Sequence, residues 1–188
     1  MIELTQDKFY KILTERYNKL LLDYVLLSYE EEYYGIESHK SAVVFSISIF
    51  NTRVRVGNSL KHPDFYVDKS KMQCIKCDTD SFFNEDINGW IVTSPTTSFR
   101  ETPESTKMNY WDAFSNPPYR TPYTKEDFQK INYMLFPVQY RNDLEIYSWN
   151  DDFSNYFDDG KEWWGAALWS IYDKWMKRFV IIGASLTD

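Results

Sequence analysis

Ala167-Leu168-Trp169-Ser170-Ile171-Tyr172-Asp173-Lys174-Trp175-Met176-Lys177-Arg178-Phe179-Val180-Ile181-Ile182 is the stretch on which the reading of the fold turns. Ala167, Trp169 and Ile171 alternate with Leu168, Ser170 and Tyr172, the period of two that puts successive side chains on opposite faces of a strand. The polar run Asp173 to Lys177 interrupts the pattern, and Arg178 to Ile182 resumes it, which predicts an antiparallel hairpin. Val180-Ile181-Ile182 is apolar without a break, as suits a strand covered on both faces and therefore central in its sheet. Just upstream, Leu144, Ile146 and the alternating Tyr147-Ser148-Trp149 predict another strand.

Working outward, the N-terminal half reads as a long helix followed by strands. Thr5 is a candidate cap, and Phe9, Ile12, Leu13, Leu20, Tyr24 and Leu27 recur at three- and four-residue steps, so one amphipathic helix of several turns is expected before Glu30-Glu31-Glu32 and Gly35. From Ser41 the pattern changes. Val43, Phe45, Ile47 and Ile49 alternate with Ser46 and Ser48, and Arg53-Val54-Arg55-Val56 alternates again before Gly57-Asn58, which predicts a pair of strands. Phe82-Phe83 and Trp90 to Thr93 flank Asn88-Gly89, a further expected hairpin. Five of the seven prolines lie between Ser94 and Tyr123, so residues 94–123 are expected to form an extended surface connection pinned by Tyr110, Trp111 and Phe114. Thr124 with Asp127 opens a short helix whose stripe is Phe128, Ile131 and Leu135, and Pro137 ends it. The expected fold is α+β in a single domain of residues 1–188, a mainly antiparallel sheet with a long N-terminal helix and a second short helix packed on it.

Composition narrows the function classes. A net charge of −7 lacks the positive face that nucleic acid or an anionic membrane requires, and it favours a basic partner. The N-terminus carries acidic residues where a signal peptide has basic ones, and only Cys74 and Cys77 are available as thiols, so a cytoplasmic, reducing setting is expected. Aromatic residues make up 19% of the chain, enough to serve both a core and a recognition surface.

Motifs that carry chemistry are scarce. Cys74-Ile75-Lys76-Cys77 has the spacing of a metal or redox pair, but no second cysteine pair completes a zinc site and His39 and His62 are too far apart to do so. We read the two thiols as ordinary reduced cysteines, expect neither metal nor cofactor, and place both histidines at the surface. No nucleophile elbow, phosphate-binding loop, dinucleotide fingerprint or metalloprotease helix occurs, so no catalytic residue is assigned.

The acidic constellation stands out instead. From Asp143 to Glu162 there are seven carboxylates against the single base Lys161, a local charge of −6. Solvation alone is the plain account of such a run. The candidate partner-binding residues are Asp151, Asp152, Asp158, Asp159, Glu162, Trp163 and Trp164, because Trp beside charge is the usual composition of an interface hot spot. Phe153, Tyr156 and Phe157 lie in the same segment.

In general character, small, acidic, aromatic-rich, cysteine-poor and without catalytic apparatus, the chain resembles the immunity proteins that neutralise secreted bacterial toxins. The resemblance is one of type and carries over no residue positions. It implies a protein-binding inhibitor that occludes a basic toxin. The alternatives are an enzyme using carboxylates of the Asp151 to Glu162 segment, with or without a divalent cation, and a small-ligand or carbohydrate-binding domain with the Pro-rich connection as its lid.

Overall fold

The computed structural model describes residues 1–57, 64–84, 108–117, 120–163 and 165–185. Strands β1 (Ile2–Glu3), β2 (Asp23–Ser28), β3 (Cys74–Cys77), β4 (Leu144–Trp149), β5 (Ala167–Asp173) and β6 (Arg178–Ala184) form one antiparallel sheet in the spatial order β1-β2-β6-β5-β4-β3. The hairpin expected at 167–182 is β5 and β6, paired from Ala167 with Ala184 to Asp173 with Arg178. β6 lies between β2 and β5, and every residue of β5 and β6 is buried, as the apolar run of β6 predicts. Burying a Val, Ile or Phe side chain fully is worth roughly 1.5–3 kcal/mol, so Phe179, Val180, Ile181 and Ile182 make this hairpin the centre of the core.

Helices cover both faces of the sheet. On one face Tyr24, Leu26, Ile146, Trp169, Ile171, Val180 and Ile182 pack against α1 (Lys8–Arg16), α3 (Thr79–Phe83), α4 (Tyr110–Ser115) and α5 (Lys125–Leu135). On the other, Val25, Leu27, Trp149, Leu168, Phe179 and Ile181 pack against α2 (Ile36–Gly57) and the aromatics Phe153, Tyr156 and Phe157. The short helix α5 begins as expected, with Thr124 and Asp127 in a reciprocal capping box.

Several expectations are corrected. The long N-terminal helix does not form: α1 has nine residues, is capped by Asp7 and not Thr5, and is followed by strand β2. Leu20, Tyr24 and Leu27 do fall at helical steps, but Tyr24, Val25, Leu26 and Leu27 are all buried, in a strand that lies between two neighbours with helices on both faces. The strands expected at 43–49 and 53–56 are instead part of the 22-residue helix α2. Its buried positions include Ala42, Val43, Ser46, Ile47 and Phe50, which follow helical steps, and two residues depart from the faces that alternation gives them: Phe45 is exposed and Ser46 is buried. The serines do not break the helix, because the Ser41 and Ser46 hydroxyls donate to the carbonyls of Glu37 and Ala42 one turn back. Phe82 and Phe83 lie in helix α3, not in a strand, and the expected strand at Trp90 to Thr93 lies outside the described residues. Within the Pro-rich segment, α4 buries Tyr110, Ala113 and Phe114 as core and is no surface connection, while residues 94–107, 118 and 119 lie outside the described residues.

Candidate functional site

The acidic segment begins where β4 ends. Residues 150–154 form a turn, Asn155–Phe157 a 3₁₀ turn and Asp158–Trp163 the short helix α6. Phe153, Tyr156 and Phe157 all point inward and are buried, and Trp149 and Trp169 are buried too, so these rings are core and not hot-spot anchors. The carboxylates take the complementary positions: Asp152, Asp158 and Asp159 are exposed and Asp151 is half-buried. Asp152 is 3.4 Å from Lys161. The side chains of Glu162 and Trp163, and Trp164 as a whole, lie outside the described residues.

The segment is tied down from beneath. Asn150 accepts from the Gln73 amide at 2.8 Å and donates to the Lys71 carbonyl at 3.0 Å. Asn155 does the same one turn on, accepting from Tyr66 N at 2.8 Å and donating to the Asp64 carbonyl at 3.3 Å. Asn51 of α2 brackets Phe65, with its carbonyl oxygen taking the Phe65 amide at 2.6 Å. Three asparagine amides therefore tie residues 64–73 to their neighbours, satisfying backbone groups that a loop would otherwise leave to water. Gly160 is required at the base of α6, since a Cβ there would stand 2.9 Å from the Gly165 carbonyl. Gly183 is required under Tyr156, whose hydroxyl would be 2.5 Å from an added Cβ and donates to Asp23 at 2.8 Å. Burial pushes the Asp23 carboxyl up, against the Tyr156 hydrogen bond and the charge of Arg53.

A second constellation lies under the first two turns of α2, and His39 is at its centre. His39 is fully buried, which corrects the expectation of a surface histidine. Its Nδ1 is 2.7 Å from the Ser170 hydroxyl and its Nε2 is 2.9 Å from the Tyr33 hydroxyl. The Trp149 indole donates to the same Ser170 oxygen at 2.8 Å. Tyr33 also bonds Glu145, which accepts the Tyr147 hydroxyl at 2.9 Å and lies 3.9 Å from Lys76. Because a carboxylate only accepts, the Tyr33 proton goes to Glu145, its oxygen takes the Nε2 proton of His39, and Nδ1 is left to accept from Ser170. Burial, reinforced by the ammonium of Lys76, pushes the imidazole down to about 3 against an opposing hydrogen bond to the Ser170 backbone, so His39 is neutral. Burial and then the Glu145 carboxylate hold Tyr147 up at about 12.

A hydroxyl 2.7 Å from an imidazole has the spacing of a nucleophile and its base. Here both groups are sealed between helix and sheet, so no reacting carbon can approach them, and what the arrangement does is satisfy buried polar atoms. Sequence reading missed it because Ser170 and His39 are 131 positions apart. The alternation that places Ser170 on the same face as Leu168 and Tyr172 was the only available signal.

The Cys-x-x-Cys pair is separated by its strand. Cys74 packs toward the α2 face and Cys77 toward the opposite face, because positions three apart in a strand point to opposite sides, so the two sulfurs cannot bond each other or share one ion while β3 stands. Among the described residues no group of three His, Cys, Asp or Glu side chains is placed to hold a metal ion, and no helix is long and apolar enough to cross a membrane. The chain matches no protein-family model, no curated protein and no solved structure.

Proposed function

We propose that this chain is a protein-binding inhibitor that engages a basic partner through the face carrying Asp151, Asp152, Asp158 and Asp159, in the manner of an immunity-type protein that occludes a toxin. One observation carries the reading: the segment sorts its side chains, with three aromatics inward and the carboxylates outward, on a backbone fixed by asparagine clamps. Fixed charge of one sign accelerates encounter with an oppositely charged surface, and a rigid segment loses little entropy on docking.

The test is kinetic. Changing Asp151, Asp152, Asp158 and Asp159 together to Asn should leave the denaturation midpoint nearly unchanged, because exposed carboxylates contribute little stability. Association with a purified basic protein encoded beside this chain should slow by about tenfold or more at low salt and lose its salt dependence. Equal association rates for the variant and the parent protein at both low and high salt would reduce the acidic face to solvation and remove the reading.

A further inference from the structure

We propose that Tyr66 is the aromatic anchor of the acidic face and takes an arginine side chain of the basic partner, an assignment that rests on the reading of that face as a binding surface. Phe153, Tyr156 and Phe157 of the acidic segment point inward, and residues 64–73 bring an outward ring to the same place. Tyr66 is 63% exposed. Its neighbours Phe65 and Val67 pack into the core on the α2 side of the sheet, so the alternation of an extended segment puts Asp64, Tyr66 and Asp68 together on the outer side. The segment is fastened to the acidic turn. The Tyr66 amide donates to Asn155 Oδ1 at 2.8 Å, the Asp68 amide donates to the Phe153 carbonyl at 2.7 Å, and the Phe65 ring meets that of Tyr156 edge-on at 5.4 Å. Asn155 stands three residues from Asp152 and three from Asp158, so the Tyr66 backbone is held midway along the acidic segment. A tyrosine on a fixed backbone loses little freedom on docking, which is why Tyr recurs at interface hot spots.

The charges around Tyr66 choose the group it takes. Asp64 and Asp68 flank it along the chain, about 6.5 Å to either side by the rise of an extended segment. Asp68 is ionised, because the Ser70 hydroxyl, 2.6 Å from its Oδ1, and the Ser70 amide hold its carboxyl below the usual range. Basic residues are present too. Lys71 lies 4.0 Å from Asp68, Lys161 lies 3.4 Å from Asp152, and Lys69 is exposed. Taken together, residues 64–71 and 150–161 carry six carboxylates, Asp64, Asp68, Asp151, Asp152, Asp158 and Asp159, against these three lysines, which leaves a charge of −3 after every base is counted. The net field therefore favours a cation. A planar guanidinium stacks on a tyrosine ring while its N–H fork reaches a neighbouring carboxylate, whereas a lysine ammonium is a compact, strongly hydrated point charge that gains less from the ring. A ring set between carboxylates thus selects arginine over lysine.

Titration of the full chain with hexa-arginine and hexa-lysine peptides at low salt, read by calorimetry and by amide NMR shifts, is the direct experiment. The arginine peptide should bind about two- to fivefold more tightly than the lysine peptide, the gain expected of a cation over an exposed ring, and should move the Tyr66 and Asn155 amide resonances. Tyr66→Ser should abolish that preference and Tyr66→Phe should keep it. The ring is exposed, so circular dichroism and the denaturation midpoint of both variants should match the parent protein. The variant with Asp151, Asp152, Asp158 and Asp159 changed to Asn should bind both peptides more weakly and still prefer arginine. Equal affinities for the two peptides, or a preference for arginine that survives Tyr66→Ser, would overturn the assignment of Tyr66, and the acidic face would stand as long as the four-Asn variant weakens binding. Peptides held as tightly by the four-Asn variant as by the parent would remove the acidic face and, with it, the assignment.

Discussion

Replacing His39 with Gln removes a buried group whose protonation opposes the fold within the mildly acidic range. In the folded chain its pKa is pushed down from 6.5 to about 3. Between those values the unfolded chain binds a proton at this position that the folded chain does not, so stability is fully present above pH 6.5 and is lost as the pH falls toward 3. Integrating the linkage over a single site gives a loss of about 2 kcal/mol between pH 7 and pH 5, with a limiting slope of about 1.4 kcal/mol per pH unit. The raised carboxyl of Asp23 acts in the opposite sense, and the lowered carboxyls of Asp68, Asp78 and Glu126 act at lower pH. All four are present in both proteins, so they cancel in the difference. His39→Gln should be less stable at pH 7, because Ser170 and Tyr33 lose good partners in a sealed site, and its stability should fall less steeply with acidification. Urea denaturation followed by tryptophan fluorescence at pH 7, 6 and 5 measures both slopes. Parallel curves for the two proteins would mean that the imidazole is already hydrated or charged, and the account of the sealed network would fail.

Two further predictions probe the core. Ile181→Ala, at a fully buried position in the central strand, should lower stability by about 2–5 kcal/mol, and a denaturation midpoint equal to that of the parent would contradict the placement of β6. Gly183→Ala should cost about 1–3 kcal/mol through contact with the Tyr156 hydroxyl, and adding Tyr156→Phe should recover part of that cost; a strictly additive double variant would show that the contact is not the cause.

Strand β6, the β5–β6 hairpin, β4 and helix α5 with its capping box were all legible in the sequence, because each depends on interactions between residues close along the chain or on an apolar run that admits few arrangements. The 36–57 segment was not, since Val43, Phe45, Ile47 and Ile49 satisfy a period of two, while Val43, Ile47 and Phe50 equally satisfy helical steps. Only burial against the sheet decides between them. The same holds for β2, where Tyr24 and Leu27 fit a helix until neighbouring strands and covering helices show that all four apolar residues are hidden. The charge and composition of the Asp151 to Asp159 segment were likewise plain in the sequence, but which of its side chains face water was not. Tertiary structure turned Phe153, Tyr156 and Phe157 into core, brought residues 64–73 beneath the acidic turn and joined His39 to Ser170, because contacts between distant segments follow from how the layers pack and leave no local periodicity to read.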